Sequence, residues 1–118
     1  MLHHVGIEVA PADVEPAVEF FALLGFRQVE VPASLGDDFT WLEREGTQIH
    51  LMHSDDPTVP PLGHLAVVVA DLDATVIQLH EHGFETRPGR EHWGSPRAHA
   101  VAPGGHRVEL MSAPPLRS

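Results

Sequence analysis

An internal repeat restricts the possible folds, because segments of the first half return in the same order in the second half. Three pairs of segments match at offsets of 60, 58 and 59 residues: His4–Ala10 with His64–Ala70, Asp13–Val18 with Asp71–Val76, and Gly46–Met52 with Gly105–Met111. Offsets that differ by so little indicate two copies of one structural module.

The repeat sets the domain organisation that we expect. The first module covers about residues 1–53 and the second about residues 63–113. Residues 54–62 are rich in proline and form the linker between them. A length of 118 residues fits one domain, so we expect a single domain over residues 1–118 that is built from two half-size modules.

Each module follows the order β-α-β-β-β, which predicts the α+β class. Alternating β-branched residues predict a first strand, and apolar residues at helical spacing that end at a glycine predict the helix. The predicted elements of the first module are His3–Val9, a helix from Asp13 to Leu24, Phe26–Val31, Asp38–Arg44 and Thr47–His53. Those of the second are His64–Val69, a helix from Asp71 to His82, Phe84–Arg87, Pro96–Val101 and His106–Met111.

Composition removes several classes of chemistry. The chain has 10 histidines, no cysteine and seven basic residues, all of them arginine. Without cysteine there are no disulfides, zinc-thiolate sites or cysteine nucleophiles. Without lysine there is no Schiff base and no P-loop. A net charge of -10 repels phosphate backbones, so we expect no nucleic-acid partner.

The sequence also lacks the patterns of membrane and exported proteins. No apolar run approaches the roughly 20 residues that a membrane helix needs. The start of the chain, Met1–Gly6, has no basic region followed by an apolar core. We therefore expect a cytoplasmic protein that has no membrane partner.

Strand alternation places four potential metal ligands on the polar faces of the predicted sheets. They are repeat-equivalent in pairs: His4 matches His64, and His50 matches Glu109. A single histidine on a strand is more often an ordinary surface or core residue, and only the coincidence of four positions indicates a site. Three imidazoles and one carboxylate suit one divalent ion: Fe, Ni, Co, Zn or Mn.

Three segments resemble the vicinal oxygen chelate superfamily, which includes glyoxalase I, bleomycin-resistance proteins and extradiol dioxygenases. They are Leu2–Val9, Gly63–Asp71 and Pro103–Met111, and the resemblance extends over nearly the whole chain. It implies two βαβββ modules that curl into a cup-shaped mixed sheet around a metal, with the helices outside. It also implies that the ligands come from the first and last strand of each module, where this chain has His4, His50, His64 and Glu109.

The resemblance implies a metal-dependent, glyoxalase-like lyase or isomerase for a small substrate with vicinal oxygens, in which the metal acts as a Lewis acid. Two alternatives stay open: a non-haem Fe(II) dioxygenase and a bleomycin-resistance-type binding protein. Glu109 would act as a catalytic proton shuttle as well as a ligand, or as a ligand alone. Glu8 shares that face and would be a catalytic base, a partner of the ligands or a rim carboxylate.

The candidate substrate-binding residues surround the same faces. Met52 and Met111 occupy equivalent positions beside the ligands. Trp41 lies on the predicted strand that precedes the strand of Met52. Trp93 and Arg97 belong to a polar loop at the mouth of the expected cup, where arginine would bind a carboxylate. We expect a homodimer, and each cup could lie within one chain or between two chains, since both arrangements use the same four ligands.

Overall fold

The computed structural model describes residues 1–115, which form two four-stranded sheets and two α-helices. The first module contains β1 (His4–Val9), α1 (Val14–Ala22), β2 (Arg27–Val29), β3 (Phe39–Arg44) and β4 (Thr47–His53). The second contains β5 (His64–Val68), α2 (Leu72–Glu81), β6 (Thr86–Pro88), β7 (Arg97–Val101) and β8 (Arg107–Met111). Short 3₁₀ helices cover Pro11–Asp13 and Ala33–Leu35.

The two sheets have the same topology, which confirms the predicted α+β class and the repeated βαβββ order. The strands are arranged β1-β4-β3-β2 in one sheet and β5-β8-β7-β6 in the other. In each, the first strand of the module pairs in parallel with the last, and the remaining pairs are antiparallel. We call them sheet A and sheet B. Neither helix is long and apolar enough to cross a membrane, as far as residues 1–115 show.

The aliphatic faces of both sheets pack against the helices, as the alternation predicts. The largest fully buried side chains come from both modules: Phe20, Phe21, Leu42, Leu51, Leu79, Leu110, Val9 and Val108. Phe20 of α1 meets Phe84 of the second module edge-on, with ring centroids 5.3 Å apart. This core leaves the other face of each sheet free, and we call that face the cup face.

The second strand of each module begins later than the pattern predicts. The backbone N–H of Phe26 donates to Phe21 O at 3.0 Å, and that of Phe84 donates to Leu79 O at 2.8 Å. These bonds run back over five residues across a left-handed glycine, as in a Schellman cap. Phe26 and Phe84 therefore complete the helix ends. The predicted strand Phe26–Val31 is shortened to β2, and the predicted strand Phe84–Arg87 is shifted to β6, which starts at Thr86 and ends at Pro88.

The helix starts differ between the two modules. Asp71 caps α2, because its Oδ1 accepts a hydrogen bond from Ala74 N at 3.0 Å. Asp13 occupies the equivalent position of α1, but its side chain makes no capping hydrogen bond. The 3₁₀ turn over Pro11–Asp13 leads directly into α1 and replaces that cap.

A buried histidine joins the modules. The Nε2–H of His106, which is 5 % exposed, donates to the backbone carbonyl of Glu8 at 2.7 Å. This bond attaches the turn before β8 to the end of β1. His106 thus has a structural role, and so has His53, whose Nε2 lies 2.8 Å from the Thr40 hydroxyl.

Candidate metal centre

The cup face of sheet A brings together the first two predicted ligands. Because Gly6 pairs with His50 in the parallel register of β1 and β4, His4 is the diagonal neighbour of His50 on the same face. The two imidazoles stack with centroids 4.0 Å apart and planes at 14°. His3 Nδ1 lies 2.9 Å from His4 Nδ1, so one ring donates to the other. The two histidines of the first module form a contiguous pair.

The ring of His50 is held on three sides. Its other face stacks on Trp41, with centroids 4.1 Å apart and planes at 2°. Gln48 donates its amide N–H to Glu43 Oε1 at 3.0 Å, which turns Gln48 Oε1 towards His50 Nε2 at 2.7 Å. His50 therefore carries its proton on Nε2 and a lone pair on Nδ1, the nitrogen that is left to bind a cation.

The surroundings of His50 favour its neutral ring. Burial is the main cause that lowers the pKa of His50 below its usual value, and the neighbouring His4 and His3 add to it. A neutral imidazole is the form that ligates a metal. The buried Nε1–H of Trp41 has no acceptor in residues 1–115, so the indole contacts His50 by stacking alone.

The cup face of sheet B brings together the other two predicted ligands. His64 Nε2 lies 3.5 Å from Glu109 Oε1. His64 Nδ1 lies 3.0 Å from the carbonyl oxygen of Leu62, which can only accept, so Nδ1 carries the proton of the neutral ring. The lone pair on Nε2 then faces a carboxylate oxygen, so that two acceptors oppose each other. A proton on Nε2, or a cation shared by both atoms, relieves that repulsion.

The spacing of this pair suits a cation. Two ligand atoms that each lie about 2.1 Å from one ion, at a roughly tetrahedral angle, are about 3.4 Å apart. The observed 3.5 Å between His64 Nε2 and Glu109 Oε1 is close to this value. The donor chemistry of sheet B thus fits half of a divalent-metal site.

Arginine holds the second oxygen of the carboxylate. Arg97 Nη1 lies 3.0 Å from Glu109 Oε2, and both side chains are largely buried. Arg97 Nε also donates to the carbonyl oxygen of Arg90 at 2.6 Å, and its guanidinium lies 5.6 Å from the ring centroid of Trp93. Trp93 Nε1 in turn donates to Ala113 O at 3.1 Å. Glu109 is therefore oriented with Oε1 directed towards His64.

One chain assembles the four predicted ligands as two pairs. Within residues 1–115, no three His, Asp or Glu side chains lie close enough together to hold a metal. His4 and His50 lie on sheet A, whereas His64 and Glu109 lie on sheet B. The ligand set stays a prediction, and the structure divides it between the two sheets.

The predicted substrate residues fall into two groups. Trp41 and Met52 line a mainly apolar cavity of about 360 Å³ on sheet A, together with His3, His4, Gly6, Leu35, Phe39 and His50. Arg97 contacts Glu109 on sheet B, and Met111 pairs with Arg97 in the register of β7 and β8. Trp93 lies in the loop before β7, where its ring contacts the Arg97 guanidinium. Glu8 pairs with Met52, and its carboxylate makes no hydrogen bond or ion pair with the residues described.

Sequence reasoning missed His99. It pairs with Glu109 across β7 and β8, just as Trp41 pairs with His50 across β3 and β4, so it occupies the position of Trp41 in the second module. The signal was present: His99 follows Arg97 by two residues, and an offset of 58 relates it to Trp41.

Comparison with known proteins decides the family. The family model described as Glyoxalase/Bleomycin resistance protein/Dioxygenase superfamily matches residues 1–110. The chain belongs to this superfamily. Among curated proteins, no significant match to the sequence is found.

Several solved structures share the fold. A protein from Bacillus anthracis, described as a glyoxalase family protein, superposes with a TM-score of 0.83 at 21% identity, over 94% of this chain and 93% of that one. A glyoxalase family protein from Enterococcus faecalis gives 0.72 at 26% identity, over 94% and 96%. An antibiotic binding protein from a Streptomyces species gives 0.70 at 22% identity, over 94% and 93%.

Proposed function

We propose that this superfamily member is a divalent-metal-dependent enzyme of the glyoxalase type, a lyase or isomerase that acts on a small substrate with vicinal oxygens. The observation that carries the proposal is the short distance between two candidate ligand atoms, His64 Nε2 and Glu109 Oε1, which face each other at 3.5 Å on the cup face of sheet B. A second pair of imidazoles, His4 and His50, lies at the repeat-equivalent positions of sheet A.

We propose further that the active form is a homodimer. In a twofold-symmetric pair, the cup face of sheet A of one chain opposes the cup face of sheet B of the other, and symmetry creates two equal sites. Each site then takes His4 and His50 from one chain and His64 and Glu109 from its partner. This arrangement supplies three imidazoles and a carboxylate, a ligand set suited to Fe, Ni, Co, Zn or Mn.

The chain's own residues have distinct roles in this proposal. A bound metal would supply Lewis-acid polarisation of the substrate oxygens. Arg97 holds Glu109 Oε2, which keeps Oε1 in place as a ligand or as the acceptor of a substrate proton. Glu8 is the second candidate base, because its carboxylate is unpaired among the residues described. The apolar cavity beside Trp41 and Met52 receives the remainder of the substrate and excludes water.

A binding protein without catalysis is the second candidate. Two observations favour it: the cavity on sheet A is mostly apolar and aromatic, and Arg97 neutralises Glu109 without a metal. The fold similarity to an antibiotic binding protein is in keeping with this alternative. A non-haem Fe(II) dioxygenase is the third candidate, because two histidines and a carboxylate are the ligands that such enzymes use.

Metal content and turnover distinguish these candidates. We expect protein purified without a histidine tag to take up about one equivalent of divalent metal per chain. The metal-loaded lyase or isomerase is then expected to exchange the carbon-bound proton of small 2-hydroxy carbonyl compounds for deuterium. Oxygen consumption with catechols in the Fe(II) form, without exchange, would identify a dioxygenase. Uptake below about 0.1 equivalent after reconstitution would contradict the metal site and favour the binding protein.

A further inference from the structure

A second cavity opens on sheet B, next to the candidate metal pair. Its volume is about 750 Å³, and its lining includes two arginines and a histidine, Arg87, Arg107 and His99. The sheet register explains this grouping, because Arg87 pairs with His99 across β6 and β7, and Arg107 pairs with Val101 across β7 and β8. All three polar side chains therefore belong to one cup face.

The charges in this cavity differ from those of the whole chain. The protein carries a net charge of -10, and Arg27, Arg44 and Arg97 each lie within 4.0 Å of a glutamate oxygen. Arg87 and Arg107, by contrast, form no salt bridge with any residue in 1–115. The single carboxylate of the lining, Glu85, leaves an excess of positive charge.

One of the arginines is already positioned. Arg107 Nη2 donates to the carbonyl oxygen of Pro61 at 2.7 Å, which attaches the guanidinium to the linker and leaves its other N–H groups for a ligand. The exposed side chain of Val101 adds an apolar surface between the polar groups. Paired guanidinium groups recognise the planar or tetrahedral oxygens of carboxylates and phosphates.

We propose that this cavity binds the anionic group, a carboxylate or a phosphate, of a small organic molecule. Arg87 and Arg107 donate charged hydrogen bonds to its oxygens, and His99 donates a third. Because Arg107 pairs with His64 and His99 pairs with Glu109 in the sheet register, the anion lies directly beside the candidate metal pair. Its role as a substrate subsite rests on the proposed function, whereas anion binding itself does not.

Titration with small anions tests this proposal. The full chain, as purified and after metal removal by a chelator, is titrated with benzoate, with inorganic phosphate and with uncharged benzamide. Binding is followed by calorimetry and by the backbone amide shifts of β6, β7 and β8. We expect the anions to bind and benzamide not to bind. Tighter binding of benzoate identifies a carboxylate ligand, and tighter binding of phosphate identifies a phosphate ester.

Matched variants locate the binding. Arg87→Gln and Arg107→Gln are each expected to weaken anion binding about tenfold, because each removes a charged hydrogen bond. Arg27→Gln, an exposed arginine of sheet A, is the control and should bind as the parent does. Far-UV circular dichroism checks the fold, and Arg87→Lys, which keeps the charge, should retain part of the affinity.

The outcomes separate this proposal from the proposed function. Parent-like anion affinity in both glutamine variants, or equal binding of benzamide, would overturn the anion site. Arginine-dependent anion binding by a chain that takes up no metal would support the anion site and contradict the metal-dependent function.

Discussion

Glu109→Gln and His64→Ala are each expected to weaken divalent-metal binding by at least about 100-fold, because loss of a partner that only orients a ligand already costs 10–100-fold. The two substitutions remove the two facing atoms, Glu109 Oε1 and His64 Nε2. Competition with a fluorescent chelator measures the affinity, and circular dichroism measures whether the fold is retained.

The control for this prediction is a histidine outside the cup face. His80→Ala changes an exposed residue of α2 and should leave metal affinity unchanged. If Glu109→Gln or His64→Ala binds metal as tightly as the parent, the assignment of sheet B as half of the site is wrong.

Arg97→Met is expected to change stability and metal affinity in opposite directions. In the metal-free protein, Glu109 would lose its cationic partner at 3.0 Å, and both side chains are largely buried. Breaking such a pair by removing one partner costs about 3 kcal/mol or more in the free energy of unfolding. Urea denaturation of the metal-free protein measures this loss.

The same substitution is expected to tighten metal binding by about tenfold, because the removal of a positive charge a few ångströms from the bound cation outweighs the loss of the hydrogen bond by which Arg97 orients Glu109. Saturating metal should therefore restore much of the lost stability. The double variant Arg97→Met/Glu109→Gln is the control, since without a buried carboxylate the stability loss should largely disappear. Parent-like metal affinity in Arg97→Met would contradict a cation at Glu109.

Much of the fold follows from local patterns in the sequence. The repeat offsets predicted the two modules, and alternation correctly placed Val9 in the core. The starts of β2 and β6 were not predictable in the same way, because Phe26 and Phe84 carry strand-like side chains. Their backbone N–H groups instead close the preceding helix through bonds to Phe21 and Leu79.

The candidate site was predictable only within each sheet. Alternation and register bring His4 to His50 and His64 to Glu109, since these are local consequences of strand pairing. The position of one sheet relative to the other depends on contacts such as His106 with Glu8, which are 98 residues apart and leave no periodic signal. For this reason the sequence alone could not decide whether one chain completes the site.

In the proposed homodimer, two chains share each metal site. Two double variants each remove one half of the metal site. His4→Ala/His50→Ala removes the ligands of sheet A, and His64→Ala/Glu109→Gln removes those of sheet B. Neither variant alone is expected to bind metal tightly. Different non-histidine affinity tags on the two variants allow the mixed dimer to be purified after co-expression.

Metal bound by this mixed dimer is the most direct test of the account. If each site combines sheet A of one chain with sheet B of the other, the mixed dimer contains one intact site and one site that lacks all four metal-ligating side chains. We predict one equivalent of tightly bound metal per mixed dimer, half the content of the parent dimer. A mixed dimer that binds no metal while the parent dimer binds two equivalents would contradict the shared site.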